Sequence, residues 1–410
     1  YNENDVQLLA SAGQLIFKAK NSIGERVAPI LARAEVVSAI TSASGTGDIV
    51  IVGQSDLAFG LQGDRTEAGM AGIRLPSETL LPVWRGQVQW DDAVTDDWLG
   101  ELANGNDVHA VAAGAGDVVL SLIEPGARLT LLSGDIVTQA PGRDMTLTAG
   151  DIDFMAGAGR VSGSGKLVIQ ATDPVWNYYL GTAAETASGE DLPREFYENA
   201  MELTARDLAA LADGFELVQI GRSEAGNLMV LGDATSESQI RLTGEVRGMD
   251  SSFRDTTRLL ADDVIVRGEV QSPVDALQVV AGTMTVETLN VHSVAEVPNS
   301  GLSADRLILE IAETIEIAGW LRGGASVNVT AGTNILIGHD PVGEPGAEPA
   351  IRAASVVLHS GGTISKIPDA AMNIVATNLE LRAATGISDL DVSVDTLDAS
   401  TAVGDIELRE

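Results

Sequence analysis

Short strands of alternating apolar and polar residues recur along the whole chain. Each strand is a triplet in which two apolar residues flank one residue of any type, and Gly, Ala, Asn, Thr or Asp separates it from the next. Because the side chains of a strand point alternately to its two faces, a triplet buries two side chains and leaves its other face to solvent. The clearest triplets stand at 264–266, 307–309, 315–317, 327–329, 335–337 and 356–358.

Two distant segments, 15–51 and 379–408, share a longer cassette. In both, an alternating strand leads into a turn containing Gly and Ile, and a second strand ends in Ala. A bend rich in Ser and Thr then precedes a Gly-Asp-Ile strand. Self-similarity of this kind indicates a repeat architecture. Gly-Asp followed by Ile or Val recurs at 47–49, 116–118, 134–136, 150–152 and 404–406.

The repeat predicts a right-handed parallel β-helix. Strands this short cannot bury an apolar face alone, whereas a coiled chain stacks equivalent triplets into one core and pairs their backbones. A β-sandwich is the alternative, but its strands are longer and are joined by hairpin signals such as Asn-Gly, which this sequence lacks between complementary runs. With about 20 to 25 residues in each coil, we expect about a dozen coils and a rod of roughly 60 Å.

Two segments interrupt the repeat and hold most of the aromatic residues. We therefore predict one continuous solenoid with coils at 1–62, 107–172 and 227–410 and insertions at 63–106 and 173–226. The first insertion contains Trp84, Trp90 and Trp98 and the acidic run Asp91, Asp92, Asp96 and Asp97. The second contains Trp176, Tyr178 and Tyr179.

Part of the second insertion is predicted to be helical. Residues 204–207, Thr-Ala-Arg-Asp, form a capping box, and Leu203 and Leu208 are spaced as its hydrophobic staple. Gly214 provides the left-handed residue that ends the helix. A second short helix is expected over 193–201, beginning at a proline.

The aromatic residues of the insertions have two interpretations. They form a local core that clamps the insertion onto the rod, or they are exposed and contact a partner protein or a glycan. Partners under the second interpretation are copies of the same protein, other surface proteins or glycans. The candidate contact residues are Trp84, Trp90, Trp98, Trp176, Tyr178 and Tyr179.

Composition and charge narrow the class of function. The 59 acidic residues outnumber the 25 basic ones and give a net charge of −34, which repels nucleic-acid phosphates and anionic lipids. We therefore expect no nucleic-acid binding. No apolar run reaches the roughly 20 residues of a membrane helix, so we also expect no membrane insertion. The chain lacks a signal peptide and begins without Met. We therefore expect an internal piece of a longer protein, with its targeting signals elsewhere.

A β-helical polysaccharide lyase or hydrolase is the alternative function. Its carboxylates would come from Asp151 and Asp153 on one strand, or from Asp389 and Asp391 on another. With so many acids, chance pairs of this kind are expected, and we predict neither a catalytic residue nor a required cofactor. Asp91, Asp92, Asp96 and Asp97 are weak calcium candidates. Their run lacks the spacing of an EF-hand and is better described as a solvated loop.

The cassettes at 15–51 and 379–408 resemble the filamentous-haemagglutinin class of repeats found in giant bacterial adhesins. Residues 203–222 similarly resemble an insertion that recurs in very large repetitive surface proteins of Gram-negative bacteria. The resemblance implies a secreted β-helix with a structural or adhesive role at the bacterial cell surface, in a fibre or an adhesin. It transfers no catalytic residue, and the chain departs from the pattern in having no N-terminal secretion module.

Overall fold

The computed structural model describes residues 8–9, 14–34, 36–41, 45–60, 109–173, 177–181, 200–221, 239–243, 251–252, 254–267, 269–286, 301–338, 349–367 and 374–410. In these residues the regular structure is almost entirely β, and the described helix is one short element. The strand pairings described below are all parallel. The prediction of an all-β chain built from parallel strands is therefore confirmed.

The chain divides into two compact units. Unit 1 comprises Tyr1–Leu167 and Ala210–Gly214, and unit 2 comprises Val168–Ala209 and Phe215–Glu410. The strands of unit 1 are β1 (Leu8–Leu9), β2 (Gln14–Ala19), β3 (Ile30–Arg33), β4 (Val36–Thr41), β5 (Ile49–Gly53), β6 (Leu57–Phe59), β7 (His109–Ala113), β8 (Val118–Leu122), β9 (Arg128–Leu131), β10 (Asp135–Thr138), β11 (Met145–Ala149), β12 (Asp151–Phe154) and β13 (Val161–Ser162). Strand β14 (Lys166–Ala171) begins in unit 1 and ends in unit 2.

Unit 2 contains the remaining strands and most of the helix α1 (Ala205–Ala210). Its strands are β15 (Asn177–Gly181), β16 (Ala200–Thr204), β17 (Leu217–Ile220), β18 (Gln239–Thr243), β19 (Ser251–Ser252), β20 (Thr257–Arg267), β21 (Glu269–Val286), β22 (Gly301–Ile311), β23 (Ile315–Ile317), β24 (Trp320–Ala331), β25 (Ile335–Ile337), β26 (Ile351–Ser360), β27 (Thr363–Lys366), β28 (Ile374–Ala383), β29 (Gly386–Thr401) and β30 (Ile406–Arg409).

The strands of unit 1 pair in three parallel ladders. The first contains β4, β7, β10 and β13, the second β5, β8 and β11, and the third β6, β9 and β12. The chain therefore visits the three ladders in the same order each time. Ile51, Leu120 and Leu147 are register partners in the second ladder, and all three are fully buried. Burial of each such side chain contributes about 1.5 to 3 kcal/mol.

Unit 2 repeats the same plan with longer strands. From β22 onward, each coil adds two consecutive strand segments to two ladders and a short third segment, such as β23 or β25, to another. Equivalent positions carry equivalent side chains, because a residue that stacks on an apolar neighbour is buried with it. One buried column contains Met284, Ile315, Ile335, Ile364 and Ile387, and another contains Leu277, Leu307, Val327, Val356 and Leu379.

The described part of the second predicted insertion differs from the prediction. Residues 177–181 and 200–221 contribute the strands β15, β16 and β17. Strand β15 pairs in parallel with both β16 and β18, and β17 pairs with β20. Leu180, Leu203 and Ile220 from these strands are buried. These residues therefore extend the parallel ladders. The sequence conceals this role at 177–181 and 200–204, where aromatic and helical signals stand beside the apolar triplets, whereas the alternating residues 215–222 do predict a strand.

The predicted capping box is present at the start of α1. Thr204 N–H donates to Asp207 Oδ2 at 2.9 Å, and Asp207 N–H donates to Thr204 Oγ1 at 3.3 Å. Leu203 and Leu208 are both buried beside it. The expected helix over 193–201 is wrong at its end, because Ala200 and Met201 belong to the strand β16. Its other residues lie outside the described part of the chain.

Candidate functional site

A groove of about 570 Å³ lies in unit 2 where four neighbouring strands end. Its wall is a column of register partners from β24, β26, β28 and β29, namely Thr330, His359, Arg382 and Ser400. Its floor is the adjacent column of Ala331, Ser360, Ala383 and Thr401, followed by Gly361, Ala384 and Ala402.

The groove is concave because small residues occupy equivalent positions in consecutive coils. Gly361 approaches the coil before it so closely that a Cβ atom there would overlap the carbonyl oxygen of Gly332. Ser360 holds the turn in place, since its Oγ lies 2.6 Å from the Thr333 carbonyl oxygen and accepts the Gly362 N–H at 3.1 Å. Packing and backbone geometry therefore fix the shape of the floor.

Four polar side chains lie on the strands that form the groove: His359 and Arg382, which line the wall, and Glu380 and Asp398, which contact them. We call His359, Glu380, Arg382 and Asp398 the charged row. His359 Nε2 lies 3.2 Å from Glu380 Oε1, and Arg382 Nη2 lies 3.4 Å from the same oxygen. Arg382 also forms an ion pair with Asp398 and donates to its backbone carbonyl at 3.2 Å. One guanidinium thus joins two carboxylates on neighbouring strands.

The electrostatics of the charged row keep Asp398 ionised. The hydrogen bond from Arg382, together with the charge of that guanidinium, holds the pKa of Asp398 below its usual value. The same hydrogen bond raises the pKa of Arg382. A glycoside hydrolase needs one carboxyl group that is protonated and can act as the acid. Asp398 is not suited to that role, and the row instead offers fixed hydrogen-bond donors and acceptors.

Three of the four carboxylates proposed for a lyase or hydrolase, Asp151, Asp389 and Asp391, each pair with a cation. Asp151 and Asp153 lie on the outer face of β12, and Arg128 Nε donates to Asp151 Oδ2 at 2.8 Å. The charge of Asp151 is the main cause of the raised pKa of Arg128. Asp389 lies 2.6 Å from Arg409 Nη2, and Asp391 accepts from Lys366 Nζ at 2.8 Å.

The structure describes only part of the predicted contact surface. Tyr178 is 1% exposed and its hydroxyl accepts the Ala171 N–H at 2.7 Å, so this side chain is buried and does not form an exposed contact surface. Tyr179 is placed as a residue of β15 by its backbone. The remaining candidates lie outside the described residues, and these are Trp84, Trp90, Trp98 and Trp176 with the calcium candidates Asp91, Asp92, Asp96 and Asp97.

Metal-binding clusters and membrane-spanning helices are both absent from the described residues. These residues contain no group of three or more His, Asp and Glu side chains arranged to hold a metal ion. None of their helices has the length and apolar character that crossing a membrane requires.

The charged row was not predicted from the sequence. Glu380 and Arg382 alternate on one strand, which places them on one face, but His359 and Asp398 lie one coil before and one coil after. Because consecutive coils differ in length, spacing in the sequence does not reveal these partners. Comparison with known proteins finds no family model, no curated protein and no solved structure that matches the chain.

Proposed function

We propose that the strands of each unit wind as a right-handed parallel β-helix. The repeated order in which the chain visits its parallel ladders supports this winding. Parallel strands of one sheet need a crossover between them, and such crossovers are right-handed in about 98% of cases. The single continuous solenoid predicted from the sequence stays a prediction.

A deletion that removes one full coil tests this winding. Ile315 and Ile335 are register partners, so deleting residues 315–334 places Ile335 where Ile315 stood. In a β-helix this variant keeps its stacked columns and its cooperative unfolding. The control deletes residues 315–324, half a coil, and should misalign the columns and unfold unit 2. Far-ultraviolet circular dichroism and urea denaturation compare the two. Equal damage from both deletions would contradict the β-helix.

We propose that the chain is a structural or adhesive segment of a large bacterial cell-surface protein, one that provides reach and stiffness. The carrying observation is the column of stacked apolar residues Met284, Ile315, Ile335, Ile364 and Ile387, in which one coil is chemically interchangeable with the next. Repeating such coils lengthens a solenoid while the residues of its buried column stay apolar. The resemblance of 15–51 and 379–408 to adhesin repeats supports the same role.

Labelling of intact cells tests the surface location. An antibody raised against the purified 410-residue chain should bind intact cells of the producing bacterium, and brief protease treatment of those cells should remove the signal. A strain lacking the gene and a cytoplasmic marker protein serve as controls. Labelling that requires permeabilised cells would contradict the proposal.

A further inference from the structure

The groove in unit 2 is long enough to hold an extended ligand. Its lining comes from equivalent positions on β24, β26, β28 and β29. Neighbouring strands lie about 4.8 Å apart, so four of them span about 14 Å along the groove. The groove is also largely open to solvent.

Backbone N–H groups of the groove floor already donate hydrogen bonds to the neighbouring coil. The N–H of Gly361 donates to Ala331, that of Ala384 donates to Ser360, and that of Ala402 donates to Ala383, at 2.9 to 3.1 Å. An extended peptide that binds by strand addition requires a free row of backbone donors and acceptors. These donors are not free, so a ligand here is recognised by side chains.

The side chains of the groove favour a ligand without charge. The wall offers donors from Arg382 and His359 and hydroxyl groups from Thr330 and Ser400. Glu380 is not a lining residue, but its carboxylate lies within 3.4 Å of both Arg382 and His359. Glu380 and Asp398 would repel an anionic chain, as would the net charge of −34. Sugar hydroxyls both donate and accept hydrogen bonds, and therefore match a wall that mixes the two kinds of group.

We propose that this groove binds an uncharged polysaccharide. The sugar ring lies over the small residues of the floor, and its hydroxyls bond to His359, Arg382 and Ser400, which line the wall. The biological meaning of this site rests on the surface role proposed above, since a surface protein meets such polymers. Binding itself is a property of the purified chain and is measured apart from its location.

Isothermal titration of the full chain tests the site directly. The probes are four neutral polymers, a β-1,3-glucan, dextran, a galactomannan and a xyloglucan, and two acidic ones, polygalacturonate and alginate. At least one neutral polymer should bind, and neither acidic polymer should bind more tightly. Arg382→Met should weaken that binding about tenfold or more, because it removes charge-assisted hydrogen bonds.

A matched pair of tryptophan substitutions separates the groove from the rest of the surface. Ala402→Trp should fill the groove and abolish binding, whereas Ala354→Trp, at an exposed position of β26 outside the lining, should leave it unchanged. Circular dichroism confirms that each variant is folded. The proposal is overturned if none of the four neutral polymers binds, if acidic polymers bind best, or if Ala402→Trp binds normally. None of these binding results changes the outcome of cell-surface labelling, so the two proposals can be contradicted independently.

Discussion

One column of turns in unit 1 and one in unit 2 are held by side-chain acceptors of different charge. In unit 1, three aspartates form a column in which each carboxylate accepts a backbone N–H from the next coil, and the first two of them belong to Gly-Asp turns. Asp48 accepts from Asp117 at 3.0 Å, Asp117 from Asp144 at 3.1 Å, and Asp144 from Lys166 at 2.8 Å. Arg26 pairs with Asp117 at 2.8 Å and offsets part of this stacked negative charge.

In unit 2, the turns around Asn334 have neutral oxygens instead. Asn334 Oδ1 accepts both the N–H and the Oγ1–H of Thr363, at 3.0 and 2.9 Å. Thr314 and Thr333 share a hydrogen bond of 2.6 Å between their hydroxyls. No cation is needed beside these groups, because stacking them brings no like charges together.

Both columns provide a hydrogen-bond acceptor for the turn, but the residue type of that acceptor differs between them. Each turn presents backbone N–H groups that need an acceptor from a neighbouring coil, whichever unit it lies in. The identity of the acceptor is free, but its charge then decides whether a counter-ion must be nearby. The Gly-Asp turns at 47–48 and 116–117 are thus one solution to this structural requirement.

Substitution of a turn glycine by alanine should destabilise the chain equally in both units. A Cβ on Gly116 would overlap the carbonyl oxygen of Gly47, and one on Gly361 would overlap that of Gly332. We expect Gly116→Ala and Gly361→Ala each to lower the free energy of unfolding by roughly 3 kcal/mol, measured by urea denaturation. Gly142→Ala is the control. It has open space around it and a φ of 69°, so only about 1 to 2 kcal/mol should be lost. A control as damaging as the turn variants would show that close stacking is not the cause.

Removing one acceptor from each unit should distinguish the charged turn from the neutral one. Asp117→Ala and Asn334→Ala both leave a backbone N–H without its acceptor, and each should lose about 1 to 3 kcal/mol of stability. High salt screens the pairing of Arg26 with Asp117 in the parent chain. The loss from Asp117→Ala should therefore shrink in 1 M NaCl, while that from Asn334→Ala stays constant. The same salt response in both variants would contradict the distinction.

The smallest expected effect concerns pH. Arg382 lowers the pKa of Asp398 in the folded chain. The ionised carboxylate therefore stabilises the fold at pH values above its unfolded pKa of about 3.9. This stabilisation is lost as the pH falls through the lower pKa of the folded state. Asp398→Asn should therefore destabilise the chain slightly at neutral pH and not at strongly acidic pH. Thermal melting of both proteins from pH 7 to pH 2 measures the difference. A gap that widens in acid would contradict this sign.

The sequence predicted the features that depend on local pattern. The triplets at 315–317 and 335–337 are strands with the predicted burial, and the capping box of Thr204 and Asp207 starts α1. Both signals lie within a few residues and report directly on which side chains are buried or paired. They are therefore visible without knowing which strands are neighbours.

Features that depend on the register between coils were not predicted. Strand β15 was included in an insertion because Tyr178 and Tyr179 stand out among aliphatic triplets, yet Tyr178 is a buried residue of the ladder. The charged row was missed for the same reason, since its members meet only after the coils stack. Coil length varies along the chain, so no fixed spacing identifies the partner of a given residue.

That unequal coil length has an evolutionary consequence. Ile335 stacks on Ile315 and Ile364 stacks on Ile335, although the second pair is separated by a longer stretch of sequence. Stacking in the ladder thus does not depend on how many residues lie between two stacked strands. A lineage can lengthen or replace such a segment in one mutational event while the columns on either side are inherited unchanged. New recognition loops can therefore arise without a new fold.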